Sequence, residues 1–293
     1  MRKFKWDQYD EIISFYKSEG YVVLENIDQD FLRSTKKIYE ALEIQNLSDS
    51  KETAFLNKDG IARHKIDMMR NYPSVIEIFK NHINDVISKL AEGVKLQTPL
   101  YFTHSKLSFK VPYAEVSWFP HQDIGYKDPK EIRQGFALLL ALEAMDKNNG
   151  ALELYEGSHK VGRINHDRKK ENMDLGDGQM EVDDLSRFPK LTINMNMGDI
   201  VIFSQYMVHS SGISTIDSHR LALISEVEEL KNLKLDDYGK IPVFIEPGKI
   251  SIYSRIYLLI KSYTSLTKYW FMIRQINGLN KIARKALDLM RNR

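Results

Sequence analysis

Two short stretches of this chain carry side chains suited to holding a metal ion. In Phe119-Pro120-His121-Gln122-Asp123 an imidazole and a carboxylate stand two residues apart. On an extended chain residues two apart face the same side, so His121 and Asp123 can reach one ion together. The second stretch is Met207-Val208-His209-Ser210-Ser211-Gly212, in which His209 and Ser211 share a face by the same period. Two histidines and one carboxylate on one side of an iron leave positions open for a chelating co-substrate and for oxygen. Each reading has a plainer counterpart: a His-x-Asp triplet recurs by chance, and a histidine in a strand is commonly a satisfied core residue.

A third element changes the balance. Arg220 lies eleven residues beyond His209 and opens the apolar run Leu221-Ala222-Leu223-Ile224-Ser225, where Arg220, Ala222 and Ile224 would face inward together. A buried guanidinium needs an anionic partner, because an unpaired charge in a low-dielectric interior is very costly. That partner is either an acidic side chain in a structural ion pair or the carboxylate of a ligand held bidentately. An inward Arg220 beside the Ser211 hydroxyl meets what the far carboxylate of 2-oxoglutarate requires.

Composition removes several alternatives. The 293 residues contain no cysteine, so disulfides, thiolate metal sites and a cysteine nucleophile are excluded. This fits a reducing cytoplasm. The charged N-terminal stretch lacks the apolar core of a secretory signal, and no run of uncharged apolar residues is long enough for an ordinary transmembrane helix. No phosphate-cradling glycine loop, nucleophile elbow or nucleic-acid-binding module is present.

The elements that must position these residues follow from periodicity. Residues 7–20 read as a helix capped by Asp7 and ended by Gly20, and Tyr21–Leu24 as a short buried strand. Residues 29–44 and 73–92 also have helical spacing, and the latter is expected to wall one face of a sheet. From about 99 to 230 the period becomes two. Strands are expected at 107–111, 136–142, 151–155, 191–195, 200–203, 207–211 and 221–227, with turns at Asn148-Asn149-Gly150, Glu156-Gly157-Ser158 and Met197-Gly198-Asp199. Many short strands with frequent turns indicate a sandwich or barrel. The polar stretch 160–188 reads as a long unstructured insertion of the lid or binding-loop kind.

The order of these pieces resembles the phytanoyl-CoA dioxygenase family of Fe(II)- and 2-oxoglutarate-dependent oxygenases. The matching segments are Leu107–Pro112, Phe119–Asp123, Asn148–Ile164, Gly198–Gly212 and His219-Arg220, with Glu19–Ile27 similar to the family's opening segment. The resemblance runs from about residue 8 to 230. It implies a mainly β fold with flanking helices, a double-stranded β-helix (a jelly-roll, cupin-like barrel) over about 99–230, with the iron site near one mouth. It implies His121, Asp123 and His209 as iron ligands, and Arg220 with Ser211 on the C5 carboxylate of 2-oxoglutarate. It also places Lys110 near the site, with Lys106 on the same face as the rival; either could instead be a solvated lysine at a strand edge. Related halogenases replace the aspartate with a small residue, so Asp123 favours hydroxylation of a C–H bond, with conversion of 2-oxoglutarate and O2 to succinate and CO2. A non-catalytic jelly-roll binding module and a cupin-type metal enzyme are the competing readings. Ser211 and Arg220 argue against the cupin reading, since hydrolysis needs no dicarboxylate clamp.

Other polar residues receive lesser roles. His159 and Lys160 are expected to anchor a loop. Arg163 and His166 either meet an anionic substrate or are solvated, Trp118 and Phe119 are expected in the core, with the floor of the pocket as the alternative, and His64, His82 and His104 stand in no motif. Residues 1–248 form the expected oxygenase domain. Beyond it, 249–293 carries a charge of +9, against −7 for the remainder. Arg274, Lys281, Arg284, Lys285 and Arg291 fall within about 120° of a helix, opposite an apolar side. This C-terminal helical extension would pack on the barrel or a second subunit, or lie on an anionic membrane surface. The membrane alternative makes a lipid-linked substrate or glycolipid more attractive than a free metabolite.

Overall fold

In a computed structural model the described residues are 1–26, 28–41, 53–56, 62–66, 78–96, 100–115, 117–127, 134–168, 180–182, 185–229 and 243–245. The tail from 249 onward, and 73–77 of the third expected helix, lie outside them.

The elements run α1 (Tyr9–Glu19), β1 (Tyr21–Leu24), α2 (Gln29–Ala41), β2 (Thr53–Leu56), β3 (Ala62–Ile66), a π turn (Phe79–Ile83), α3 (Asn84–Gly93), β4 (Leu100–Lys110) and β5 (Trp118–His121). They continue with β6 (Gly135–Ala141), β7 (Leu152–Tyr155), β8 (Asp167–Arg168), β9 (Met180–Glu181), β10 (Lys190–Thr192), β11 (Ile200–Ser204), β12 (His209–Ser211), β13 (Arg220–Glu229) and β14 (Val243–Ile245). The larger sheet has the order β1-β11-β6-β13-β4-β3-β2, with β14 also on β4; the smaller is β10-β7-β12-β5. Pairing is antiparallel throughout both sheets. This is the jelly-roll architecture, mostly β with helices against one face.

Strand alternation divides the core in two. Tyr21, Val23, Ala137, Leu139, Ala141, Val201, Phe203 and Ala222 pack with Ala151, Leu152, Leu154, Ile193 and Met207 between the sheets. Val22, Leu24, Leu138, Leu140, Ile200, Ile202, Leu221 and Leu223 point the other way, onto Ile12 and Tyr16 of α1 and Val86, Ile87 and Leu90 of α3. The central strands are therefore apolar on both faces, as expected where helices cover the outside of a sheet. The expected wall helix is present as α3, preceded by the π turn.

Three expectations need correction. Asp7 does not cap α1. Gln8 holds the N-cap position, and its Oε1 instead accepts from the Lys5 amide at 2.8 Å. Gly20 does end the helix, at φ 76°, a left-handed conformation in which glycine has no Cβ clash. Trp118 and Phe119 are half-buried and belong to none of the core clusters. The stretch 160–188 is not simply unstructured: its described parts include the β8–β9 ladder and Val182 and Phe188, which cluster with Tyr155 and Val208. Strands β2 and β3 were not expected at all.

Candidate metal centre

β5 and β12 are neighbours in the smaller sheet, and their register sets His121 directly opposite His209. The ring centroids are 4.3 Å apart. Gln122 keeps the chain extended beyond β5, and Asp123 then opens a short 3-10 turn, Asp123–Tyr126. Its Oδ1 lies 4.0 Å from His121 Nε2 and 3.6 Å from His209 Nε2. All three ligand atoms fall within 4.8 Å of one another, a group able to hold a metal ion. Strand pairing thus delivers the two histidines, and the turn after β5 delivers the carboxylate.

The outer hydrogen bonds select the tautomer. His121 Nδ1 is 2.7 Å from the Phe119 carbonyl, and His209 Nδ1 is 3.0 Å from the Met207 carbonyl. A carbonyl only accepts, so each Nδ1 carries the proton and each Nε2 lone pair faces the cluster. Burial pushes the His121 pKa down to about 3, with the neighbouring His209 adding to it, and pushes His209 down to about 4. Both imidazoles are therefore neutral at pH 7, as metal binding requires. Burial raises the Asp123 carboxyl, and the charge of Glu226 raises it further. Two neutral imidazoles and an aspartate under negative pressure form a donor set suited to a divalent transition metal.

The larger sheet supplies the opposite wall, in rows about 7 Å apart along the strands. The first row is Phe203, Ala137 and Glu226, and the Phe203 ring meets His209 edge-on at 4.9 Å. The next is Val201, Leu139, Ile224 and Lys106. Ala141, Ala222 and Ser108 follow, and Arg220 opposite Lys110 closes the series. Lys106 is thus one row from the triad and Lys110 three rows away. The charge of Lys106 acts on all three ligand side chains. The Lys110 stem instead lies over Gly150, where a Cβ would come within 2.6 Å of its Cδ. On the smaller sheet Ser211 sits two residues from His209, facing inward, and its Oγ accepts from the Trp118 amide at 3.4 Å.

Arg220 is 2% exposed. Burial lowers its pKa to about 10 despite the opposing charge of Glu143, and its Nε has no hydrogen-bond partner among the described residues. Arg220 and Lys110, both buried, are directly paired across the strands, and like charges so placed repel. The charge of Glu143 offsets part of that burial, but an orphaned donor beside a second cation still fits an anionic group. The triad, Ser211, Lys106 and Arg220 thus all lie on the inward faces of the two sheets.

Arg163 and His166 do something the sequence did not suggest. Arg163 Nη2 donates to the carbonyls of Gly125 (3.0 Å) and Lys127 (2.9 Å), and His166 Nε2 accepts from the Gln122 amide at 2.8 Å. Neither is a simple surface residue; both brace the turn that carries Asp123. Gln122, fully buried, completes the brace: its Nε2 donates to the Gly162 and Tyr206 carbonyls, and its Oε1 accepts from the Ile164 amide. Gly125 is required beneath His166, whose ring a Cβ would meet at 2.7 Å. His159 packs its ring on Gly20, in keeping with loop anchoring, while Lys160 is exposed. His82 packs against Phe31, away from the cluster; the side chains of His64 and His104 lie outside the described set.

Sequence reasoning missed Glu226 and Glu228. Both continue the inward period of Arg220, Ala222 and Ile224, so extending that alternation past Ser225 would have found them.

Fold and cluster together define a double-stranded β-helix protein with a two-histidine, one-carboxylate site at one end of the barrel. Residues 16–221 match the family model described as Phytanoyl-CoA dioxygenase (PhyH), and the chain belongs to that family. Among curated relatives it is 30% identical to Phytanoyl-CoA dioxygenase 1 of Oryza sativa subsp. japonica, over 60% of this chain and 59% of that protein. It is 23% identical to the peroxisomal phytanoyl-CoA dioxygenase of Mus musculus, over 71% of this chain and 65% of that one. The chain thus spans somewhat under two thirds of these relatives' length. Among solved structures, EvdO2 from Micromonospora carbonacea var. aurantiaca aligns with a TM-score of 0.62 at 17% identity, covering 75% of this chain and 90% of that one. EvdO2 is also known in complex with 2-oxoglutarate. The epimerase SnoN, in complex with Fe3+, alpha ketoglutarate and nogalamycin RO, aligns with a TM-score of 0.57 at 17% identity, over 75% and 83% of the two chains.

Proposed function

We propose that this protein is an Fe(II)- and 2-oxoglutarate-dependent oxygenase that hydroxylates a C–H bond of an organic substrate. The observation that carries the reading is the His121–Asp123–His209 cluster in the same barrel as a buried, incompletely satisfied Arg220 on β13. Family membership supports it. His121, Asp123 and His209 would hold the iron. Arg220 and Ser211 would hold the far carboxylate of 2-oxoglutarate. Lys106, level with the space between iron and Arg220, is the better placed lysine for that ligand, and Lys110 backs Arg220 from the end of the barrel. Iron with 2-oxoglutarate and O2 supplies the oxidising power, and succinate and CO2 are the co-products. The chain's own contribution is to fix three ligands on one side, keep both imidazoles neutral, and seat a dianion where water is excluded. Asp123 completes the ligand set and so favours hydroxylation over halogenation.

The test is oxygen- and iron-dependent conversion of 2-oxoglutarate to succinate. His121→Ala should abolish it; turnover that survives that substitution would remove the site assignment, and absence of 2-oxoglutarate binding by the iron-loaded protein would favour a non-catalytic barrel. A second reading concerns the substrate. The basic, amphipathic sequence pattern of 249–293 supports attachment to an anionic membrane and hence a lipid-linked substrate, with a small soluble metabolite as the alternative. Among the described residues no helix is long and apolar enough to cross a membrane, so attachment would be peripheral. Co-sedimentation with phosphatidylserine vesicles should be lost from a chain ending at Pro247; equal recovery of both chains in the supernatant would refute it.

A further inference from the structure

Beside the triad lies a buried ionic cluster that the oxygenase reading leaves without a task. Glu226 is 7% exposed and Glu228 fully buried, both on the inner face of β13. Lys127 Nζ bonds to both, at 2.8 Å from Glu226 Oε2 and in close contact with Glu228 Oε1. Gln205 Nε2 donates to the same two carboxylates, at 3.1 and 3.2 Å. The cluster's members come from three segments that matter to the metal site. Lys127 ends the turn opened by Asp123. Gln205 lies between β11 and His209, and its carbonyl accepts from the Ile124 amide at 3.2 Å. Glu226 belongs to the row that faces the triad, and its charge acts on both Asp123 and His209.

A turn bearing a ligand carboxylate has few means of holding that carboxylate still. Gln122, Arg163 and His166 brace its start and its carbonyls from one side. Lys127 ties its far end to the rigid strand β13, and Gln205 couples that tie to the lead-in of His209. We infer that Lys127, anchored on Glu226, Glu228 and Gln205, is a positioning residue that sets Asp123 relative to the two histidines. The inference rests on the metal-site reading. Its energetic logic is that a metal site needs its ligands within a few tenths of an ångström of the productive geometry, and such outer contacts commonly change metal affinity about 10- to 100-fold.

Direction makes the idea testable. Loss of a lysine charge beside a cation site would by field alone tighten metal binding, because one repulsive charge is gone. Loss of a latch would weaken it. The experiment is Co(II) titration of the full-length protein, read by Co(II) absorption and by competition with a chelator. Lys127→Met should weaken Co(II) binding about tenfold or more and change the visible band pattern, which reports ligand geometry. Lys127→Arg should restore both. If Lys127→Met does not fold with two carboxylates left buried, Lys127→Met/Glu228→Gln removes one charge of each sign, leaves the net charge beside the metal unchanged while still opening the latch, and should show the same weakening and band change. Unchanged or tighter Co(II) binding with an unchanged spectrum, in whichever variant folds, overturns the inference, even if thermal stability falls. Failure of the wild-type protein to bind Co(II) at all would overturn the metal-site reading and the inference with it.

Discussion

Arg220→Met should stabilise the metal-free protein while destroying its affinity for 2-oxoglutarate. The magnitude follows from burial. The guanidinium is 2% exposed, and burial pulls its pKa from the ordinary guanidinium range down to about 10. A shift of that size corresponds to about 3 kcal/mol by which the charged form is disfavoured in the folded chain. For a cation whose folded pKa is lowered, this penalty is present at every pH below about 10, hence throughout the physiological range, and disappears only above the unfolded value. Methionine fills most of the same volume without a charge. Glu143 loses a partner, but it is only half-buried and can take up water or a proton. The net expectation is a gain of about 1–3 kcal/mol, or roughly 2–10 °C in melting temperature for a chain of this size. Thermal unfolding of wild type and variant in chelator gives the first measurement. Thermal shift with Co(II) and 2-oxoglutarate together gives the second: the wild type should gain several degrees and the variant almost none. A variant less stable than wild type by more than about 2 kcal/mol in chelator would show that Arg220 is a satisfied structural residue. The case for a dicarboxylate clamp would then fail.

Other outcomes follow from the same geometry. Gln122→Leu leaves two carbonyls and one amide without their partner and should cost about 3–6 kcal/mol, measured by urea unfolding, with Co(II) affinity reduced as well. Gly125→Ala forces the His166 ring off the turn, breaking its bond to the Gln122 amide; a loss of about 1–3 kcal/mol with weakened Co(II) binding is expected in the same assays. Lys106→Met should raise the dissociation constant for 2-oxoglutarate, by calorimetry on the Co(II)-loaded protein, more than Lys110→Met does, and the reverse order would exchange their assignments. Gly150→Ala meets the Gly212 carbonyl at 2.6 Å at a backbone φ of 77°, so a marked drop in melting temperature is expected.

The metal-suited side chains and the inward Arg220 were legible because their environments are local. His121 ends β5 and Asp123 follows it across the extended Gln122, while His209 and Ser211 share one strand, so each pair is set by short-range sequence. The apolar runs of β6, β11 and the start of β13 were equally plain, since a strand covered on both faces is apolar at adjacent residues. The helix ends were less so: Gly20 announced its left-handed turn, whereas the Asp7 cap gave way to Gln8, because neighbouring backbone decides which side chain reaches the free amides. What the sequence by itself determined, then, is the set of chemical groups and the face on which each would lie. The tertiary structure decided how those faces meet. The β5–β12 register brings His121 level with His209, and the β4–β13 register sets Lys106 near the triad but Lys110 beside Arg220. It also turned Arg163 and His166 inward as braces and gathered Lys127, Gln205, Glu226 and Glu228 from distant segments into one buried cluster. Such groupings depend on which strands pair and in what register, a choice made by packing over the whole barrel rather than by any segment's own pattern.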